Sequence, residues 1–247
     1  MTDTSKQPLR VLGIFAHPDD SEFMVGGAAA RWADEGAQVT YCIVTNGAAG
    51  SNDPQQNLVE LVKIREAEQR AACAVLGVQE VLFLGYADGT LQPTIELRRD
   101  LTRLIRQLKP DRVVIGDPTA VLYEFDYINH PDHRAAAEAA LYAIFPSAVT
   151  RPIFPELLAE GYEPHQVKEV YISGTEKPNT YVDISATLDR KIEALRCHKS
   201  QLDPGDGKWV REWAAESGKA GSLEFAEAFL VMKLVSEEGS PDTADNA

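Results

Sequence analysis

The sequence predicts a Rossmann-like α/β fold: a mostly parallel sheet with helices on both faces, built as a single domain. Two observations point to it. Short apolar runs alternate with longer stretches of helical periodicity, in the order β-α-β-α-β-α-β-α, through the first 145 residues, and parallel strands need crossovers of that kind. No internal repeat and no linker between folded blocks divides the 247 residues, a length that suits one large α/β domain.

The elements follow in order. Residues 1–8 are polar and expected to be flexible, and the domain is expected to span 9–235. Val11–Phe15 is an apolar run that stops at Ala16-His17-Pro18 and reads as a buried strand. Phe23–Asp34 is Ala-rich with Gly36 just beyond, a helix with its stop signal. Val39–Val44 is the second strand. Leu58–Leu76 has helical periodicity, and Gly77 is placed to end it in the left-handed conformation. Val81–Leu84 is the third strand, Thr94–Leu108 the third helix, ended by Lys109-Pro110, and Arg112–Ile115 the fourth strand. Pro131–Phe145 is another Ala-rich helix. Beyond it the pattern loosens. Pro146–Gln166 carries four prolines and reads as a long loop, Val167–Ile172 as a strand, and Ser185 as the cap of a helix over Ala186–Gln201. Asp203–Ser222 reads as a surface flap and Leu223–Val235 as a segment that packs back on the body. The last stretch, 236–247, is acidic, lacks large apolar residues and is expected to be disordered.

Composition excludes several classes of function. Hydrophobic residues make up 44% and charged residues 25%, ordinary for a soluble globular chain. The net charge of −14 argues against a nucleic-acid groove, which needs clustered Lys and Arg. No apolar run approaches the ~20 residues that cross a bilayer. The N-terminus lacks the apolar core of a signal peptide. The three cysteines, Cys42, Cys73 and Cys197, have no CxxC spacing and read as inert thiols. A cytoplasmic location is the resulting expectation.

Chemistry concentrates at one edge of the expected sheet. In open parallel sheets, ligands bind beyond the carboxyl ends of the strands. His17-Pro18-Asp19-Asp20 lies past the first strand, Asp88 shortly past the third, and His130-Pro131-Asp132-His133 past the fourth. A catalytic zinc takes three protein ligands and leaves one position open. His17 and Asp20 are close enough in a tight loop to chelate one ion, and His133 supplies a third ligand. Asp19 and His130 are then left beside the metal, and hydrolysis needs such a pair, a base for water and a group that stabilises the oxyanion or protonates the amine. Each motif alone is more often a turn; the clustering of three histidines and their aspartates at strand ends favours a metal site. Asp88 before Gly89 also fits a simple turn, Glu22 a partner for the helix dipole, and His198 a residue that packs a helix on the sheet. Gly26-Gly27 lacks the G-x-G-x-x-G spacing of a dinucleotide loop.

Ala16-His17-Pro18-Asp19-Asp20, followed by Glu22 and Gly26-Gly27, resembles the first motif of the LmbE-like, or PIG-L-type, zinc N-deacetylases, and His130-Pro131-Asp132-His133 resembles the second. Arg65-Glu66-x-Glu68, Asp88-Gly89-x-Leu91 and Lys191-x-x-Ala194-Leu195-x-x-His198-x-Ser200-Gln201 are similar to further family segments, so the likeness spans residues 9–201. Two departures stand out. Many members carry Glu directly after the Asp pair, where this chain has Ser21 and then Glu22. Some place Tyr two residues before the first His of the second motif, where this chain has Ile128 with Tyr127 beside it.

The resemblance implies that His17, Asp20 and His133 bind Zn²⁺, with Fe²⁺ or another divalent ion as the alternative in the cell. It implies that Asp19 is the general base, that His130 stabilises the oxyanion or serves as acid, and that Asp132 orients a neighbouring imidazole. Arg65 would hold substrate oxygens, with Asp88 also in the substrate site. The implied activity is removal of an acyl group, chiefly acetyl, from a small sugar or glycoconjugate of the N-acetylglucosamine kind. The implied partner is therefore a small molecule, with no nucleic acid and no membrane, and self-association is left open. The rival readings are an amidase that cleaves a thiol-sugar conjugate, a non-catalytic sugar-binding relative, and a nucleotide-dependent oxidoreductase on the same fold.

Overall fold

The computed structural model describes residues 7–123, 127–205 and 207–235. The expectations for most of the N-terminal stretch and for the acidic tail 236–247 fall outside these residues.

The chain runs β1 (Arg10–Phe15), α1 (Asp20–Asp34), β2 (Gln38–Thr45), α2 (Leu58–Leu76), β3 (Glu80–Tyr86), α3 (Ile95–Leu108) and β4 (Arg112–Gly116). A small hairpin follows, β5 (Leu122–Tyr123) with β6 (Tyr127–Ile128), then α4 (Pro131–Tyr142) with a π turn at Ala143–Ser147, and a short α5 (Glu156–Ala159). The last part is β7 (Glu169–Ser173), β8 (Thr180–Asp183), α6 (Leu188–Leu195), α7 (Lys208–Gly221) and β9 (Ala226–Lys233). Seven strands among the described residues form one sheet in the order β3-β2-β1-β4-β7-β9-β8. The first five in that order pair in parallel, while β9 runs antiparallel to both β7 and β8. The predicted fold class is therefore present, with an antiparallel edge. Strand succession reverses direction between β1 and β4, which opens a crevice at their carboxyl ends.

Local chemistry explains most boundaries. Asn57 caps α2, its side-chain oxygen accepting from Val59 N at 3.0 Å and Glu60 N at 3.2 Å. Gly77 ends that helix at φ 80, as its position predicted. Thr94 caps α3 through Leu97 N at 3.2 Å, so the helix starts one residue later than read from the sequence. Period-two alternation splits the strands between two cores. Val11, Phe15, Val39, Tyr41 and Ile43 face α1, α2 and α6. Leu12, Ile14, Val44, Val113 and Ile115 face α3 and α4. Gly27 lets α1 approach Ile184, because a Cβ there would meet that side chain at 2.8 Å.

Three expectations are corrected. Ser185 does not cap a helix; its N and Oγ both donate to Asp183 Oδ1, at 2.9 and 2.7 Å, and the helix begins only at Leu188 and ends at Leu195. Asp203–Ser222 is not an irregular flap, since Lys208–Gly221 is a helix whose Val210 and Ala214 are buried against the body. Pro146–Gln166 is a loop only in part. Arg106, fully buried, donates to the carbonyls of Ser147, Ala148, Thr150 and Ile153 and ties its first half to α3. No helix among the described residues is long and apolar enough to cross a membrane.

Candidate active site

The first motif leaves the end of β1 and turns sharply into α1. His17 N donates to Asp20 Oδ2 at 2.8 Å, and Asp19 O accepts from Glu22 N and Phe23 N at 3.0 and 3.3 Å. Asp20 thereby occupies the first helical position, where the amide dipoles favour a carboxylate. Asp19 precedes it at φ 104, a left-handed conformation that side-chain-bearing residues seldom adopt. The second motif opens α4. Pro131 starts the helix, and His130 caps it, its Nδ1 accepting from Asp132 N at 3.2 Å.

The two motifs meet in the crevice. Asp20 lies between two imidazoles, with Oδ1 3.1 Å from His133 Nε2 and Oδ2 3.4 Å from His17 Nδ1. The other edge of His17 faces Asp88 Oδ1 at 3.0 Å and Asp132 Oδ2 at 3.4 Å. Asp132 is fully buried, and its carboxylate also accepts from Gly89 N at 2.7 Å and Leu91 N at 3.1 Å, which fastens the loop after β3 to the start of α4. His130 completes the group, its ring centroid 4.7 Å from that of His17 and 5.4 Å from that of His133.

The electrostatics follow from this crowding. Burial alone would lower the His17 pKa, but the close carboxylates of Asp132, Asp20 and Asp88 outweigh it and push the group up to about 12. Burial opposes ionisation of Asp20, yet His133 and His17 hold its carboxyl well below the usual range. The same opposition holds Asp88 and Asp132 down, chiefly through His17. Asp19 goes the other way: burial and then the neighbouring Asp20 charge raise it, against the pull of Arg65. For His130, burial and the His17 charge lower the pKa.

Two features suit these residues to a cation. Asn129 donates its amide to Ala120 O at 2.8 Å, so its Oδ1, 3.0 Å from His133 Nδ1, requires a proton on that nitrogen. The Nε2 edge of His133 is then turned to the Asp20 carboxylate, an arrangement that a proton or a metal ion satisfies. His17 Nε2 is likewise buried and makes no well-directed hydrogen bond, although Asp88 is close. Ligand spacing is met by His17, His130 and His133, and separately by His17, Asp88 and Asp132. Neither grouping includes Asp20, so spacing alone points to His130 rather than Asp20 beside His17 and His133. Asp20 is buried and anionic, whereas the His130 side chain is 39% exposed, which favours Asp20 on the metal and His130 toward substrate.

All eight residues singled out in the sequence converge here, though two have different surroundings from those expected. Arg65, expected to hold substrate oxygens, is buried and donates to Gly47 O at 2.9 Å, Pro18 O at 2.8 Å and Asp19 Oδ2 at 3.3 Å. Asp88 spends its oxygens on His17 and on Ala49 N at 2.8 Å. Three participants escaped the sequence reading: Asn129, Gln69 and the pairing of Glu22 with His198. Gln69 could have been found, because it lies one turn after Arg65 and so shares its helix face. A cleft of about 330 Å³ is lined by Phe23, Thr175, Trp209, Trp213 and Glu216 among others, and by none of the eight residues.

Comparison with known proteins gives a consistent result. Residues 12–144 match the family model described as PIG-L: GlcNAc-PI de-N-acetylase. The chain is 32% identical to diacetylchitobiose deacetylase of Thermococcus kodakarensis, over 88% of this chain and 81% of that one. It is 28% identical to a probable N-acetyl-alpha-D-glucosaminyl L-malate deacetylase 2 of Bacillus anthracis, over 90% and 93%. Among solved structures, the N,N'-diacetylchitobiose deacetylase of Pyrococcus horikoshii superposes with a TM-score of 0.83 at 32% identity, covering 95% of this chain and 87% of that one.

Proposed function

Because the chain belongs to the PIG-L, or LmbE-like, family, we propose that it is a metal-dependent hydrolase that removes the N-acetyl group of a small sugar or glycoconjugate. The observation that carries this is the meeting of His17, Asp20 and His133 at the sheet's switch point, with Asp19 and His130 flanking them. In this proposal His17, Asp20 and His133 would hold the ion, taken to be Zn²⁺. When bound, such an ion supplies Lewis acidity, acidifying a water and polarising the acyl oxygen.

The remaining chemistry falls to the chain's own groups. Asp19, raised by burial and by Asp20, accepts the proton of the attacking water. The water oxygen bonds to the acyl carbon and charge moves to the acyl oxygen. His130 faces that side and would donate to it. The C–N bond then breaks, the amine takes a proton from the site, and acetate leaves. Asp132 and Asp88 hold the far edge of His17, and Asn129 fixes the ring of His133. Arg65 would act on the substrate only indirectly, by holding the Asp19 loop. The cytoplasmic location belongs to the same proposal.

The test is acetate release from a panel of N-acetylated mono- and disaccharides and their conjugates, before and after chelation. Release that stops with chelator and returns with Zn²⁺ is expected. An enzyme that stays fully active after verified metal removal, or that releases no acetate from any member of the panel, would sink the proposal. Faster amide cleavage of thiol-sugar conjugates would favour the amidase reading instead.

A further inference from the structure

We infer that Gln69, oriented by the buried Glu22–His198 pair, is a positioning residue that holds Asp19 in its active conformation. The inference rests on the reading in which Asp19 is the base.

The backbone of Asp19 sits at φ 104, which the loop itself does not enforce with a glycine. Its N–H donates instead to Gln69 Oε1, at 2.9 Å, from the second helix. Gln69 is fully buried, and its amide cannot turn over. Its Nε2 lies 3.0 Å from Glu22 Oε1 and 3.2 Å from Ser21 Oγ. A backbone N–H only donates, so the amide oxygen must face Asp19 and the nitrogen must face Glu22 and Ser21. The other Glu22 oxygen takes His198 Nε2 at 3.0 Å. Ser21, Glu22, Gln69 and His198 are each 0% exposed, so none of the four can touch a substrate.

Arg65, one turn earlier on α2, completes the grip. It holds Pro18 O and the Asp19 carboxylate, while Gln69 holds the Asp19 amide. Two side chains of a rigid helix thus fix the carboxylate from both ends of its residue. Asp20 does not depend on this clamp, because its Oδ2 is held by His17 N within the loop. A buried carboxylate, imidazole and amide are a costly way to fill space, since apolar residues of similar volume often serve stability as well or better. Their use here follows if they set the orientation of Asp19.

The test is Gln69→Met, which keeps length and volume but removes the acceptor, with Glu22→Gln as the second variant. The expected result for Gln69→Met is a folded protein with a melting temperature several degrees lower, metal content near wild type, KM little changed, and kcat down roughly 10- to 100-fold, the scale of a misplaced catalytic group. Glu22→Gln, which frees the Gln69 amide to turn over, should give the same split with a smaller fall. Wild-type kcat in Gln69→Met overturns the inference, as does loss of metal, a rise in KM at constant kcat, or failure of both variants to fold. If Gln69→Met alone fails to fold, wild-type kcat in Glu22→Gln is the overturning result. Asp19→Asn, measured in parallel, separates the two levels: near-normal turnover there removes the underlying reading, whereas an inactive Asp19→Asn beside a normal Gln69→Met removes only the positioning role.

Discussion

At the scale of single residues, neighbours in both motifs are assigned different work, and this can be measured. Asp20 is pinned between His17 and His133, while Asp19 turns away on a left-handed backbone toward Arg65. His133 is fixed by Asn129 inside the cluster, and His130 stands half out of it. Replacing Asp20 or His133 by Ala should strip the ion and with it the activity. Replacing Asp19 or His130 by Ala should leave close to one ion per chain and still lower kcat by ~10²–10⁴-fold, the range for losing a general base or acid. Elemental analysis and turnover on the four variants decide it; metal loss in Asp19→Ala, or normal turnover in His130→Ala, would reassign the roles. The two motifs were legible because each packs several ligand-type residues into four consecutive positions. Asn129, Gln69 and the pairing of His198 with Glu22 were not, because each acts through a contact that only the fold creates. Glu22 and His198 meet across 176 positions of sequence, and Asp19 and Gln69 across 50. A buried polar residue on a helix looks, in sequence, like a solvated one, so nothing in the sequence showed that Arg65 turns inward to Pro18 O and Asp19.

At the scale of elements, the parallel half of the sheet was readable and the antiparallel half was not. Strands β1, β2, β4 and β7 are buried on both faces and so appear as unbroken apolar runs. Strand β8 spells only Thr-Tyr-Val-Asp, and β5 and β6 are two residues each, too short for any periodicity to register. Helix α7 was read as a flap because Lys, Arg and Glu dominate its outer face, while only Val210, Ala214 and Gly218 mark the inner one. That helix carries Trp209, stacked on Phe23 of α1 with centroids 5.8 Å apart, and Trp213 edge-on to it at 5.0 Å. Aromatic faces beside Glu216 and Thr175 suit a sugar ring or an apolar aglycone. Trp209→Ala should therefore shift relative kcat/KM between mono- and disaccharide substrates severalfold with metal content unchanged; equal effects on every substrate would detach the cleft from specificity. Lys191 of α6 ties β9 to α1, its Nζ donating to Glu227 Oε1 at 2.6 Å and to Phe23 O at 2.8 Å. Glu227 in turn accepts from Gly27 N and Ala28 N, inserting a strand side chain into α1. Lys191→Met leaves that carboxylate buried without its cation. A loss of ~3–5 kcal/mol in denaturant unfolding is expected, and a change under 1 kcal/mol would show the pair to be dispensable.

At the scale of the molecule, the chain carries a net charge of −14 and gathers Asp20, Asp88 and Asp132 around one imidazole at the crevice where strand order reverses. The fold assembles this site from residues after β1, β3 and β4, so the cluster exists only when the sheet is formed. An ion held there binds the native state and has no comparable partner in the unfolded chain. Linkage then requires it to stabilise the whole domain. At free metal 100-fold above Kd the gain is ~2.7 kcal/mol, and a chain of this size shifts its Tm by ~2–4 °C per kcal/mol. Chelation of the purified protein should accordingly lower Tm by about 5–10 °C, and adding Zn²⁺ back should restore it. The apo form also leaves neighbouring carboxylates less compensated, which adds to the loss. His133→Ala, lacking one ligand, should start near the apo Tm and respond weakly to either treatment, while His130→Ala should keep the full shift. Calorimetric scans of the three proteins, each with chelator and with Zn²⁺, read this directly. A Tm that ignores verified metal removal would mean that the crevice holds no ion tightly, and a full shift retained in His133→Ala would place the ion on the other His/Asp grouping around His17.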